Sequence, residues 1–312
     1  MKVTRAVLLV GGLVVLAFLV ARVGIESVMS VLSRLTWWQL VLICLPYGLI
    51  MAVDTLGWRY AFISNPPSYL RMLAARTAGE AVKVWLLRPA VSYDESVPSV
   101  VIAKTTSTMA QTLLLLVGLV LAVTTLTVAG DVIWAMLVLL GVELLLVGGF
   151  FVSQVAGLVR RAGRLLAWSG LIENASAAED LDARLRRYYQ ENWRRFVLSV
   201  AFHFGGWLLG GLEVLVMLYV LDIPVSMATA TVIEAVGSGV RFASFPVPGS
   251  LGVLEGANTG VFAALGLGAS AGLAFSLVRR ARQGVWIGIG LIVLVSARLH
   301  ATSGAPAERP AA

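Results

Sequence analysis

Runs of about 20 apolar residues recur along most of the chain, and each is long enough to cross about 30 Å of hydrocarbon as a helix. Four are expected in the first half, at Val3–Ala21, Trp37–Trp58, Val100–Leu121 and Ile133–Val152. Four more follow at Phe196–Leu221, Met227–Phe245, Leu251–Leu267 and Gly284–Leu299, the last preceded by a helical stretch from Ala269. The pattern predicts an all-α, polytopic transmembrane helical bundle of about eight passages. It forms a single integral membrane domain over residues 1–300, with a disordered tail of Ser, Gly, Pro and Ala at 301–312. A β-barrel is excluded, because stretches such as Leu113 to Val123 are continuously apolar rather than alternating. The first run follows Lys2 and Arg5 as a signal peptide would, but it is too long and lacks a cleavage site, so it is expected to be retained as a span.

Composition agrees. Of 312 residues, 59% are apolar and 13% charged, far from a soluble domain. The positive charge is placed between the apolar runs, with five Lys and Arg in 59–97 and eight in 160–195, and none around Asp131, Asp222 or Ala269. The connections 59–97 and 158–195, and both termini, are therefore expected on the cytoplasmic side of a bacterial inner membrane. This topological role accounts for the net charge of +7 without nucleic acid. The stretch Ala175 to Arg195 mixes Leu181, Leu185, Tyr188 and Tyr189 with charges, and fits a helix on the inner leaflet as well as a solvated one. One cysteine, Cys44, and two histidines, His203 and His300, cannot build a disulfide framework or a Cys/His metal site in one chain. No Gly-Lys-Ser/Thr nucleotide loop occurs, so no metal and no cofactor is expected.

The informative residues are ionisable groups inside apolar runs, where insertion of a charge costs at least about 2.5–3.5 kcal/mol. They are Asp54, Lys104, Glu143, Glu213, Glu234, Arg241, Glu255, Arg279, Arg280 and Arg282. Asp54 and Arg59, near a helix end, are expected to snorkel in a structural role. Glu143 and Glu213 are deeper, where pairing with a buried cation would hold helices together. Lys104 and Gln111 are seven apart and share a helix face with Thr105 and Thr108, as the lining of a solvated cavity or as interhelical hydrogen bonding. Gly206 with Gly210, Gly256 with Gly260, and Gly284 with Gly288 have the small-xxx-small spacing of close helix packing.

The densest signal runs from Glu234 and Arg241 through Ser-Phe-Pro-Val-Pro-Gly-Ser-Leu-Gly-Val-Leu-Glu-Gly at Ser244 to Gly256. Pro246 and Pro248 lack amide donors, and Gly249 and Gly252 admit backbone shapes that other residues resist, so the helix must break near 245–252. Such a break is either re-entrant, lining a cavity that satisfies its free backbone groups, or an ordinary turn between spans. Arg241 and Glu255 flank it, and Arg279 and Arg280 follow, offering positive charge to an anion or anchoring the topology.

At these residues the chain resembles the flippase-like membrane family that includes the transmembrane region of lysylphosphatidylglycerol synthases. The resemblance rests on Phe245 to Gly256, on Ala-Phe-Ser-Leu-Val-Arg-Arg-Ala-Arg from Ala274 to Arg282, and on Ala-Gly-Glu-Ala from Ala78 running into Val-Lys-Val-Trp-Leu-Leu-Arg-Pro from Val82. It implies a lipid-handling inner-membrane protein, in some members moving aminoacylated phospholipid between leaflets without using nucleotide itself. In relatives a Pro- and Gly-rich stretch ending in a second Glu separates the two parts of the first motif, whereas here Ala81 adjoins Val82 and Lys83. The fuller form resembles the later break, which suggests two related breaks facing each other, the first of them shortened here. Glu80 and Lys83 are carried over from it.

The preferred reading is a flippase-like transporter that moves or binds an anionic or aminoacylated phospholipid or lipid-linked headgroup. Its substrate-binding candidates are Glu80, Lys83, Lys104, Glu234, Arg241, Pro246, Pro248, Gly249, Gly252, Glu255, Arg279 and Arg280. An alternative is a non-transporting accessory subunit of hopanoid or glycolipid biosynthesis, and a weaker one is a lipid-modifying membrane enzyme. No catalytic residue is assigned, because no Ser-His-Asp or Cys-His set is present; the synthases it resembles carry a soluble aminoacyl-transferase domain after their membrane regions, whereas this sequence stops at Ala312, so it is not expected to make lysylphosphatidylglycerol itself. The implied partners are membrane lipids, chiefly anionic phospholipid, a lipid-biosynthesis enzyme in the accessory case, and a second copy of the chain, with no nucleic acid.

Overall fold

A computed structural model of the chain describes residues 36–79, 83–126, 130–156 and 176–303. Ten α-helices follow in order: α1 (Trp37–Tyr60), α2 (Tyr69–Thr77), α3 (Lys83–Leu87), α4 (Tyr93–Thr125), α5 (Gly130–Val155), α6 (Ser176–Glu191), α7 (Trp193–Val220), α8 (Met227–Ala243), α9 (Val253–Ala264) and α10 (Ala269–Ser303). The expected span Val3–Ala21 lies outside the described residues. Five of the other expected passages coincide with α1, α4, α5, α7 and α10, the helices long and apolar enough to cross a membrane. Helix α10 is continuous from Ala269 and reaches Ser303, three residues into the tail expected to be unstructured; residues 304–312 lie outside the described set.

The remaining two passages have a different character. Helix α8 has 17 residues and α9 has 12, about 25 and 18 Å at 1.5 Å per residue, short of a bilayer's hydrocarbon. Ten consecutive residues of α8, Ala230 to Gly239, are buried on every side. Burial on every side makes α8 the interior of this bundle, although it carries Glu234 and Arg241. It packs on α4, α5 and α7, while α1 covers the opposite side of α7 and α9 lies along α10. The core runs through their middles, from Leu114 and Leu115 of α4 through Met217 of α7 and Ile233 of α8 to Phe262 and Phe275, whose rings stack at 5.3 Å.

Local chemistry explains the helix ends. The Thr36 N–H donates to Gln39 Oε1 at 2.7 Å at the start of α1, and Thr229 N–H donates to Ser226 Oγ at 3.1 Å at the start of α8. A second apolar cluster closes one end of the bundle, joining Trp58 and Phe62 after α1, Met72 of α2, Leu87 of α3 and Leu185 and Tyr188 of α6. The described parts of the two Arg-rich connections thus meet at the same end. Helix α6 is not merely solvated: Leu185 and Tyr188 turn into the protein, and Tyr188 Oη donates to the Tyr60 carbonyl at 2.9 Å. Tyr189 Oη donates to Gln154 Oε1 at 2.7 Å. Burial pushes the Tyr189 hydroxyl up to about 12, so it remains a donor at neutral pH.

Candidate functional site

The break after α8 is built from its own residues. Ser244 Oγ donates to Ser250 Oγ at 2.8 Å, and Pro248 opens a single 3-10 turn to Ser250. Gly249 and Gly252 take φ of 63° and 76°, in the left-handed region where a Cβ is strained. Glu255 Oε2 then accepts the Gly252 N–H at 2.7 Å, capping α9 with an acid at its positive end. The other carboxyl oxygen, Oε1, accepts from Arg280 Nε at 2.8 Å, which ties the break to α10.

Beside this break lies a cavity of about 450 Å³. Helix α7 presents His203, Gly206, Gly210 and Glu213 to it, spaced three and four apart on one face. The two glycines let acids from neighbouring helices approach: a Cβ would stand 2.5 Å from Asp54 Oδ1 at Gly206 and 3.1 Å from Glu234 Cγ at Gly210. Asp54 accepts from Arg76 Nη2 at 2.6 Å and pairs with His203 Nδ1 at 3.0 Å. Deeper in, Glu234 receives Arg241 Nη2 at 2.6 Å on one oxygen and Arg279 Nη2 on the other. Arg282 Nε stands 2.7 Å from Glu213 Oε1, and Arg279 Nη2 stands 3.8 Å from Glu213 Oε2. Each carboxylate holds guanidinium groups in place, which offsets part of their large desolvation cost.

The balance of charge is positive. Arg76, Lys83, Lys104, Arg241, Arg279, Arg280 and Arg282 line the cavity against three carboxylates, Asp54, Glu213 and Glu234. Several buried donor nitrogens have no acceptor, including Arg76 Nε, Arg279 Nη1 and Arg280 Nη2. Unsatisfied buried donors are costly, and the oxygens of an anion are acceptors of the kind such guanidinium groups lack. Among the described residues no His, Cys, Asp and Glu group suits a metal ion.

Of the residues expected here, Lys83, Lys104, Glu234, Arg241, Gly249, Arg279 and Arg280 line the cavity. Glu255 is fully buried behind Arg280. Pro246, Pro248 and Gly252 shape the break without lining the cavity, and Glu80 lies outside the described residues. Residues from both breaks, Arg76 and Lys83 from the first and Gly249 and Ser250 from the second, face the same space.

Several expectations are corrected. Asp54 does not snorkel: the packing of α1 on α7 turns it inward to Arg76 and His203. Among the described residues no cation is paired with Glu143; Gln111 Nε2 donates to its Oε1 at 2.9 Å and to the Ser238 carbonyl at 3.1 Å. The polar strip of α4 therefore divides, Lys104 facing the cavity and Gln111 joining helices. A Cβ at Gly260, Gly284 or Gly288 would meet nothing within 4 Å, so those glycines mediate no close packing among the described residues. Sequence reasoning passed over Arg76 and His203 as site residues, although the spacing of His203, Gly206, Gly210 and Glu213 already placed them on one face.

Fold and site together define a polytopic helical membrane protein organised around a buried, arginine-rich cavity. The chain belongs to the family described as the lysylphosphatidylglycerol synthase TM region, whose profile matches residues 4–291. No curated protein and no solved structure matches it significantly. Family membership relates the chain to lipid modification or transport in a membrane.

Proposed function

We propose that the cavity binds the phosphate of an anionic phospholipid or lipid-linked headgroup, and that the chain moves this lipid across a bacterial inner membrane in the manner of a flippase. The observation that carries the reading is the set of unpaired guanidinium nitrogens on Arg76, Arg279 and Arg280, in a cavity where seven cationic side chains face three carboxylates. Arg279 and Arg280 are fixed by Glu234 and Glu255, so they meet phosphate oxygens without first losing side-chain freedom. Lys104 adds a further positive charge. An aminoacylated headgroup would set its amine against Asp54 or Glu213. The reading assigns no catalytic step, since each carboxylate in the cavity is engaged by a cation.

The test is leaflet redistribution of fluorescent anionic phospholipids in proteoliposomes. Redistribution that Lys104→Ala slows and Arg279→Ala abolishes supports the transporter. None across a broad anionic panel overturns it and favours the accessory reading, to which the short first break, with its five-residue α3, gives specific support.

A further inference from the structure

We infer that one acyl chain of the bound lipid lies in an apolar groove between α1 and α10 while its phosphate occupies the cavity; the inference rests on the phosphate reading above. The groove has a volume of about 320 Å³ and is walled by apolar atoms of Leu40, Cys44, Leu45, Gly48, Val285 and Trp286. It begins where the charged cavity ends. Tyr47, which lines the cavity, packs edge-on against Trp286, with ring centroids 5.3 Å apart. Arg282, one helical turn before Trp286, holds its guanidinium 4.0 Å from the Tyr47 ring centre. On α10, Arg279 and Arg280 and the groove residues Val285 and Trp286 thus occupy successive turns, and α1 likewise runs from the groove at Cys44 and Gly48 to the cavity at Tyr47 and Asp54.

The chemistry of a phospholipid requires this kind of continuity. A phosphate drawn inside the protein brings its glycerol and ester groups with it, and the attached chain cannot cross a field of arginines without stripping their remaining polar contacts. It needs an apolar exit beginning within one turn of the phosphate, and the α1–α10 groove supplies one. Trp286 Nε1 is buried without an acceptor at the junction, where an ester carbonyl would stand. Gly48 lets the Trp286 ring close against α1 at the end of the groove, since a Cβ there would lie 3.3 Å from it. A soluble phosphate would use the cavity alone, so occupancy of the groove separates a lipid from a free headgroup.

Cys44, the chain's one cysteine, lines the groove and reports on it without mutation. The experiment measures the rate at which N-ethylmaleimide labels Cys44 in the full chain in detergent, alongside Tm, with dioleoyl phosphatidylglycerol or with glycerol 3-phosphate. Phosphatidylglycerol is expected to raise Tm and to slow labelling about tenfold at about ten times its Kd. Glycerol 3-phosphate is expected to raise Tm without slowing labelling. In Arg279→Ala, or in Lys104→Ala where that variant fails to fold, slowing should need more lipid. A raised Tm with unchanged labelling overturns the groove and leaves the phosphate reading standing. No Tm response to either compound overturns both. Slowing that needs no more lipid in the variant shows chains entering independently of the cavity, and Cys44 inert without lipid even at alkaline pH, where thiolate forms, shows the groove closed to solutes; either result overturns the inference.

Discussion

Two buried glutamates on opposite sides of α8 have opposite surroundings. Glu234, 2% exposed, receives guanidinium groups on both oxygens and faces the cavity. Glu143, 1% exposed, projects from α5 on the far side, where Gln111 donates to one oxygen and the other has no partner. Burial is equal and the residue type is the same, so neither explains the difference. What differs is reach: Arg241, two turns along α8, and the long Arg279 side chain from α10 both extend to Glu234, whereas no guanidinium among the described residues is paired with Glu143. A membrane-buried acid is therefore a site residue or an interhelical hydrogen-bonding group according to the helix that packs against it.

The comparison can be broken most directly at Glu234. Glu234→Ala leaves Arg279 buried without its main counter-charge and should destabilise the protein by about 3–5 kcal/mol. Thermal unfolding in detergent reads this, and a loss below about 1 kcal/mol would mean that water already solvates the pair. Gly206→Leu comes next, because its side chain must displace Asp54 from between Arg76 and His203; about 1–3 kcal/mol of overpacking is expected in the same assay. Gly249→Ala forces a Cβ into the left-handed region at φ 63° and should cost about 1–2 kcal/mol, with weakened binding of phosphatidylglycerol as the break shifts against Arg280. The smallest effect belongs to Glu143→Gln. It keeps size and hydrogen-bonding capacity while removing a charge that nothing there balances, so a change under about 1 kcal/mol is expected, and a large loss would reveal a hidden cation partner.

Much of the cavity was legible one helix at a time. The Pro246-Val-Pro-Gly249 break, the Arg279-Arg280 pair and the Lys104 strip were all visible as polar or helix-breaking residues where apolar ones belong. Asp54 was misjudged because its distance from a helix end suggested snorkelling, and only the close packing of α1 on α7 at Gly206 turns it inward. Arg76 was hidden in a connection whose positive charge already had a topological explanation. Helices α8 and α9 were expected as spans because hydropathy registers an apolar surrounding without separating protein from lipid, and α8 is surrounded by protein.

By itself the sequence determined that this chain lives in a membrane, where its helices run and where one of them must break. Those properties depend on side-chain polarity and on the backbone limits of proline and glycine, which act over a few neighbouring residues. The tertiary structure alone decided which charges meet. Asp54, Arg76 and His203 come from three helices, as do Glu213, Glu234 and Arg279, and the groove beside them is a seam between two more distant ones. Ion pairing falls off within a few ångströms, so separations of tens of residues along the chain carry no information about it until packing has fixed which helix faces lie together.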